Sequence, residues 1–244
     1  MRKAEEINYK SPMYLQLKKV IYSKIQSGEY LPGTSIPSEN ELAKMYGINR
    51  LTVRNGIDQL VNEGLLMRVQ GKGVYVLGAN GKSNVETVGG FEEIVDASNA
   101  ARSIKIIKQV VRKASDKFSW IFGIGSEDEI YYIKRIINVG GTPSSLEETY
   151  IPKYLIPQLD SIDLSVFSID EIYKFYGIIR SKVNEIIDLT RLDANQGRML
   201  KISANEEVMV MESTSFDDKS RVIDYRRKYS VSDLCKYSVC MKKD

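Results

Sequence analysis

Histidine is absent from all 244 residues of this chain. That removes histidine general bases, the serine–histidine and cysteine–histidine nucleophile pairs, and most zinc and iron sites. Cysteine is almost as scarce: the only two are Cys235 and Cys240. They form no disulfide framework, which suits a reducing compartment, and without histidine or further cysteines they are too small a set for a metal site. No apolar run approaches the roughly 18 residues that a membrane-spanning helix requires. The opening Met1-Arg2-Lys3-Ala4-Glu5-Glu6 puts no apolar core behind its basic residues, so we expect no secretory signal and a cytoplasmic protein. Two glycine clusters fail as nucleotide motifs. Gly71-Lys72-Gly73 lacks the spacing of a phosphate loop, and Gly123-Ile124-Gly125 lacks the third glycine of a dinucleotide fingerprint. We therefore expect no catalytic residue, no metal and no cofactor.

What remains is an ordinary globular composition, 43% hydrophobic and 27% charged, with a net charge of +3. The charge is uneven. Residues 1–78 hold 11 Lys and Arg against 7 Asp and Glu, and the remainder holds 24 against 25. A weak basic surplus at the N-terminal end is where a polyanion would dock.

That end is also where the pattern is densest. Tyr14, Leu17, Ile21 and Ile25 recur at helical spacing behind Ser11-Pro12, which predicts a helix over 12–27 capped by Ser11. Ser38-Glu39-Asn40-Glu41 reads as a capping box, and Gly47 as the left-handed end of a short second helix. Asn49 caps a third helix over about 50–63, ending at Gly64. Two helices joined by Gly47-Ile48 alone must cross steeply, as in a helix-turn-helix. On the third helix Val53, Ile57 and Leu60 share one face and point inward. The first turn then projects Arg50, Leu51, Thr52 and Arg54 outward, where an arginine can chelate guanine and an apolar side chain can touch a thymine methyl. Two strand-like runs, Leu65–Val69 and Val74–Leu77, flank the turn Gln70-Gly71-Lys72-Gly73 and form a hairpin carrying Arg68 and Lys72. Such a wing suits the sugar-phosphate backbone or the minor groove.

Residues 12–77 resemble the winged helix-turn-helix of the GntR family of bacterial regulators. The resemblance rests on Pro37-Ser38-Glu39 with Glu41-Leu42-Ala43, Tyr46-Gly47, Arg50 with Thr52-Val53-Arg54, Glu63-Gly64-Leu65, Arg68, and Gln70 through Gly73. It implies that Arg50, Thr52, Arg54 and the glycine wing tip (Gln70, Gly71, Lys72, Gly73) contact operator DNA, with Ser38, Asn40, Leu51 and Arg68 beside them. Asn40 stands where many members carry a basic residue, so a phosphate contact there is lost or becomes an amide hydrogen bond.

Residues 78–85 read as a flexible linker. Beyond it, β-rich runs at 104–112, 129–139, 146–151, 178–190, 208–216 and 222–231 alternate with helical stretches near 115–122, 169–176 and 193–201. Gly140-Gly141 and Asp217–Ser220 serve as hairpin turns. This predicts an α+β fold, with an antiparallel sheet domain over 86–244 behind the winged domain of 1–77. The second half resembles the UTRA effector domain of the HutC-like branch, which shares the chorismate lyase fold. The segments that carry this are Ile130–Arg135, Pro143 with Glu147 and Tyr150-Ile151-Pro152, and Val222-Ile223-Asp224-Tyr225. The resemblance implies an effector site that includes Phe91, Glu92, Arg135, Ile137, Glu147 and Asp224. Sugar-phosphate-sensing members grip the phosphate with two arginines on the first motif strand. Here Arg135 matches one and Ile137 takes the place of the other, while Glu92 stands where a small hydroxyl residue is common. An arginine pair favours a dianion, so we expect an effector with one negative charge or none: a carboxylate, an unphosphorylated sugar or a cationic metabolite. A structural role for Arg135, Glu147 and Asp224 as ion partners is the competing reading.

Together these readings predict a transcriptional regulator, a repressor by preference, that binds an inverted repeat of double-stranded DNA as a homodimer under the control of a small-molecule effector. Two alternatives stand beside it: a chorismate lyase-like enzyme tethered to DNA, and a constitutive DNA-binding dimer without an effector.

Overall fold

Pro12, not Ser11, caps the first helix. In the computed structural model of the chain, which describes residues 11–78, 92–94, 102–203, 206–231 and 236–238, helix α1 spans Met13–Gln26 with Pro12 as N-cap and no side-chain cap. Proline's fixed φ, here −51°, already presents the chain in helix-ready geometry. The expected Ser11 cap is therefore displaced, and the Ser11 carbonyl instead accepts a hydrogen bond from Gln16. Helix α2 (Glu39–Tyr46) carries the predicted Ser38/Glu41 capping box and closes on Gly47 at φ +65°. Helix α3 (Arg50–Asn62) is capped by the Asn49 side chain. Strands β1 (Leu66–Val69) and β2 (Gly73–Val76) pair antiparallel across the glycine turn.

Leu17, Ile21, Ile36, Leu42, Val53, Ile57, Leu60, Leu66, Val74 and Val76 make one apolar core beneath these elements. Gly56 is where α3 meets α1 most closely: a Cβ there would lie 2.9 Å from the Tyr14 carbonyl oxygen. Glycine is thus required by proximity rather than by backbone angle.

The chain divides into two compact units, one of residues 1–84 with 161–177, the other of 85–160 and 178–244. The first unit therefore includes a segment from the second half of the sequence. That segment carries helix α5 (Ile169–Phe175), whose predecessor Phe167 meets Tyr75 edge-on at 5.7 Å.

The second unit is built on a six-stranded antiparallel sheet. Its strands are β4 (Arg102–Lys113), β5 (Glu129–Val139), β6 (Thr142–Pro152), β7 (Arg180–Arg191), β8 (Glu207–Asp217) and β9 (Val222–Ser230), in the order β4-β5-β6-β9-β8-β7. Short strands β3 (Glu92–Ile94) and β10 (Lys236–Ser238) pair separately and were not anticipated. Side chains alternate between the two faces of the sheet. One face is covered by α4 (Ser115–Phe122) and α6 (Ala194–Leu200): Phe118 and Phe122 pack on Ile130 and Tyr225, and Leu200 packs near Leu146, Val208 and Val210, with the Lys134–Glu148 and Arg227–Glu212 ion pairs on the same face. The opposite face buries polar side chains, among them Arg135, Ser145, Glu147, Thr149, Asp224 and Lys228. The predicted linker beyond Gly78, together with Phe91, Cys235 and Cys240, lies outside the described residues.

Candidate nucleic-acid interface and ligand site

Helix α3 turns Val53, Gly56, Ile57 and Leu60 into the core, so its first turn faces outward. Leu51 is 66% exposed. The start of α2, the start of α3 and the wing enclose a groove of about 580 Å³ lined by Ser38, Glu39, Asn40, Arg50, Arg54, Arg68 and residues 69–74. The structure thus gathers Ser38, Asn40, Arg50, Arg54, Arg68, Gln70, Gly71, Lys72 and Gly73 around one concavity. Leu51 and Thr52 stand outside that lining. Thr52 is half-buried, and its backbone amide is taken up by the Asn49 cap. The Ser38 hydroxyl is engaged in the capping box, donating to Glu41 Oε2 at 2.7 Å.

Glu39, which in the sequence reads as part of a cap and of the family motif but not as a site residue, lines the groove beside the three arginines. Glu39 is 9% exposed and accepts from three guanidinium groups: Arg50 Nε at 2.9 Å, Arg54 Nε at 3.3 Å and Nη2 at 3.2 Å, and Arg68 Nη1 at 2.9 Å. Burial alone would raise its carboxyl, but the hydrogen bonds from Arg54, Arg50 and Arg68 outweigh it and bring it down to about 2. Arg68 is further held by Asp58, through Nε at 3.2 Å and Nη2 at 2.9 Å. The signal that could have found Glu39 is a carboxylate at the start of α2 in a module whose next helix opens with Arg50 and Arg54 and whose wing carries Arg68.

Lys72 at the wing tip donates to Ser165 Oγ and lies 3.5 Å from Asp163 Oδ2. Burial pushes the Asp163 carboxyl up, but hydrogen bonds from Ser165 and Tyr75 and the charge of Lys72 bring it below the usual aspartate range.

On the polar face of the sheet, Arg135 pairs with Glu147 through Nε at 2.9 Å and Nη2 at 2.6 Å. Thr149 Oγ1 donates to the same carboxylate at 3.0 Å. Desolvation works to protonate Glu147, but Arg135, Arg226, Lys228 and the Thr149 hydroxyl together hold its pKa well below the usual carboxylate range. Asp224, fully buried, accepts from Arg180 at 3.2 Å, Arg226 at 3.0 Å and Ser215 at 2.9 Å. Ile137 is buried two residues along the strand from Arg135, on the same face, opposite Ser145. Two buried polar atoms here, Arg135 Nη1 and Ser145 Oγ, have no hydrogen-bond partner among the described residues. Glu92 opens β3, opposite Ser238.

Residues 13–76 match the bacterial regulatory proteins of the gntR family, and residues 98–236, more than half of the chain, match the UTRA domain. The chain is a GntR-family regulator with a UTRA domain. Among curated relatives, the regulator is 28% identical to the mannosyl-D-glycerate transport/metabolism system repressor MngR of Escherichia coli K12, over 93% of this chain and 95% of that one. It is 26% identical to the transcriptional repressor NagR of Bacillus subtilis 168, over 84% of each. It is 27% identical to the HTH-type transcriptional regulator YurK of the same organism, over 87% of this chain and 88% of that one. Among solved structures it shares its fold with PhnF of Mycobacterium smegmatis, with a TM-score of 0.60 and 18% identity over 96% of this chain and all of the other. By their names these curated relatives are transcriptional regulators. None of the regulator's described helices is long and apolar enough to cross a membrane.

Proposed function

We propose that the regulator is a cytoplasmic repressor that binds an inverted-repeat operator as a homodimer and lets go when a small metabolite occupies the polar face of its sheet domain. The observation that carries the DNA half is the first turn of α3: Arg50 and Arg54 stand exposed at the mouth of a groove whose far wall is the glycine wing. Such a turn can reach base edges in a major groove while the wing follows the backbone. The observation that supports a ligand is that Arg135 Nη1 and Ser145 Oγ are buried without a hydrogen-bond partner among the described residues, whereas buried polar groups in proteins generally find one.

The charge of that face bears on ligand class. Arg135, Arg180, Arg226 and Lys228 stand with Glu147, Asp224 and Glu185, four basic groups against three acidic, and most of this charge is already ion-paired. Ile137 offers no second guanidinium beside Arg135. A dianionic phosphate ester would meet one donor edge there, whereas a hydroxylated monoanion or a neutral sugar would match the hydroxyls and the remaining arginine edge. The names of two relatives, a mannosyl-D-glycerate system repressor and a probable fructoselysine utilization operon repressor, agree with a sugar-derived effector.

The test has two steps. Duplexes are first enriched from a randomised library by the full chain; then a panel of free and phosphorylated sugars and sugar acids is scored for release of the enriched duplex. Release by a monoanionic or neutral member supports the reading. Exclusive release by phosphate esters overturns the ligand class, and failure to enrich any duplex overturns the DNA half. The closed Arg135–Glu147 pair favours a second reading, a constitutive binder in which this cluster is structural. No melting-temperature rise with any panel member would support it.

A further inference from the structure

We infer that Glu39 is a specificity-determining positioning residue that sorts the three arginines of the groove, leaving Arg50 as the base reader and Arg68 as a brace. The inference rests on the DNA-binding reading above. Arg50 meets Glu39 through Nε alone, so its two terminal nitrogens are left without a hydrogen-bond partner among the described residues. That outer edge is the one that matches guanine O6 and N7 side by side. Arg54 grips both carboxylate oxygens through Nε and Nη2, so only Nη1 is left uncommitted. Arg68 has no edge to offer: Nη1 is on Glu39, while Nε and Nη2 are on Asp58 of the recognition helix. Side-chain exposure follows the same order, 59% for Arg50, 50% for Arg54 and 38% for Arg68.

The arrangement has an electrostatic consequence. Glu39 and Asp58 against three guanidinium groups leave one net positive charge where three would otherwise face the phosphates. Phosphate attraction is indifferent to sequence. Glu39 therefore weakens binding to any duplex, while it holds the fork of Arg50 in the one orientation that reads a base. Discrimination, the ratio of the two affinities, gains from both effects.

The experiment uses the full chain, a duplex enriched from a randomised library by the wild-type chain, and a random-sequence duplex of equal length. Both affinities are read by fluorescence anisotropy at several salt concentrations. For Glu39→Gln we expect affinity for the enriched duplex to fall at least tenfold, while affinity for random duplex holds or rises. Its salt dependence should steepen by about one counterion, as a released guanidinium turns to a phosphate. Arg50→Lys keeps the charge at an exposed position and loses the fork together with the Nε hydrogen bond to Glu39. It should collapse the same ratio with only a small change in melting temperature, because Arg54 and Arg68 still hold Glu39, so the test stands even if Glu39→Gln folds poorly. Arg68→Ala should lower the melting temperature and weaken both duplexes alike. An unchanged ratio in Glu39→Gln and Arg50→Lys overturns the inference, as does an Arg54→Ala variant that alone flattens the base preference. If the wild-type chain enriches no duplex, the DNA-binding reading fails and takes this inference with it; if it enriches one and the ratios stay fixed, this inference alone fails.

Discussion

Tyr75 Oη donates to Asp163 Oδ2 at 3.1 Å, joining the second wing strand to a residue 88 positions further along the chain. The same carboxylate accepts from Ser165 and lies near Lys72. A lysine proposed to hold DNA is thus already occupied within its own unit. Asp163→Ala removes the acceptor of Tyr75 and the counter-charge of Lys72. Thermal melting should show a loss of about 1 kcal/mol, in line with one neutral hydrogen bond. Anisotropy at low salt should show a few-fold tighter grip on random duplex. Unaltered binding would mean that Lys72 does not face the phosphates.

Acid stability should depend on Glu39. Its carboxyl sits at about 2 against an ordinary 4.5, so the folded state favours its ionised form. That contribution is fully present above about pH 4.5 and is lost as pH falls toward 2. The shift corresponds to at most about 3 kcal/mol. Glu147, Asp163 and Asp217 are lowered too and add to the same acid limb, so the useful quantity is a difference. Wild type minus Glu39→Gln, measured by circular dichroism melts between pH 5 and pH 2.5, should shrink as pH falls. A difference independent of pH would contradict the ionised, arginine-bound state of Glu39.

Gly56→Ala sets two effects against each other. Alanine gains about 1 kcal/mol of helix propensity over glycine. Its Cβ would stand 2.9 Å from the Tyr14 carbonyl and 3.4 Å from Leu17 Cδ2, and the first of these is backbone that cannot swing aside. Helix α1 must therefore move off α3, and overpacking of this kind costs about 1–3 kcal/mol. We expect a net destabilisation, read as a lower melting temperature of the first unit. A stabilised variant would show that the α1–α3 contact is looser than the structure has it.

In the sheet domain, Glu147→Ala leaves Arg135 buried without its carboxylate. Breaking a buried pair from one side costs about 3–5 kcal/mol, whereas replacing both partners with apolar residues is far milder. Arg135→Met with Glu147→Leu should therefore melt above Glu147→Ala. It should also retain duplex binding while losing any response to the sugar panel. Retained response in the double variant would place the effector elsewhere.

Much of this architecture is legible along the chain because its causes are local. The Ser38/Glu41 box and Gly47 bound α2 within eight residues. Gly140 and Gly141 turn the β5–β6 hairpin, both at positive φ, as their dipeptide suggests. What sequence could not supply is pairing across distance. Arg68 reads as a spare cation until folding sets it between Asp58 and Glu39, 10 and 29 positions away. Asp224 meets Arg180 across 44 positions, and Asp163 meets Tyr75 across 88. Periodicity encodes which face a residue takes, not which partner awaits it there. The Ser11 cap failed for a local reason: two start signals were adjacent, and the proline's fixed φ prevailed over the serine's hydroxyl.

The most direct test of the central claim is a hydroxyl-radical footprint of the full chain on a duplex enriched by it from a randomised library. If the turn at Arg50 enters the major groove from each half of a dimer, two protected patches should appear about one helical turn apart, related by an inverted repeat, and Arg50→Ala should erase both. A single protected patch, or a footprint that Arg50→Ala leaves intact, would contradict it.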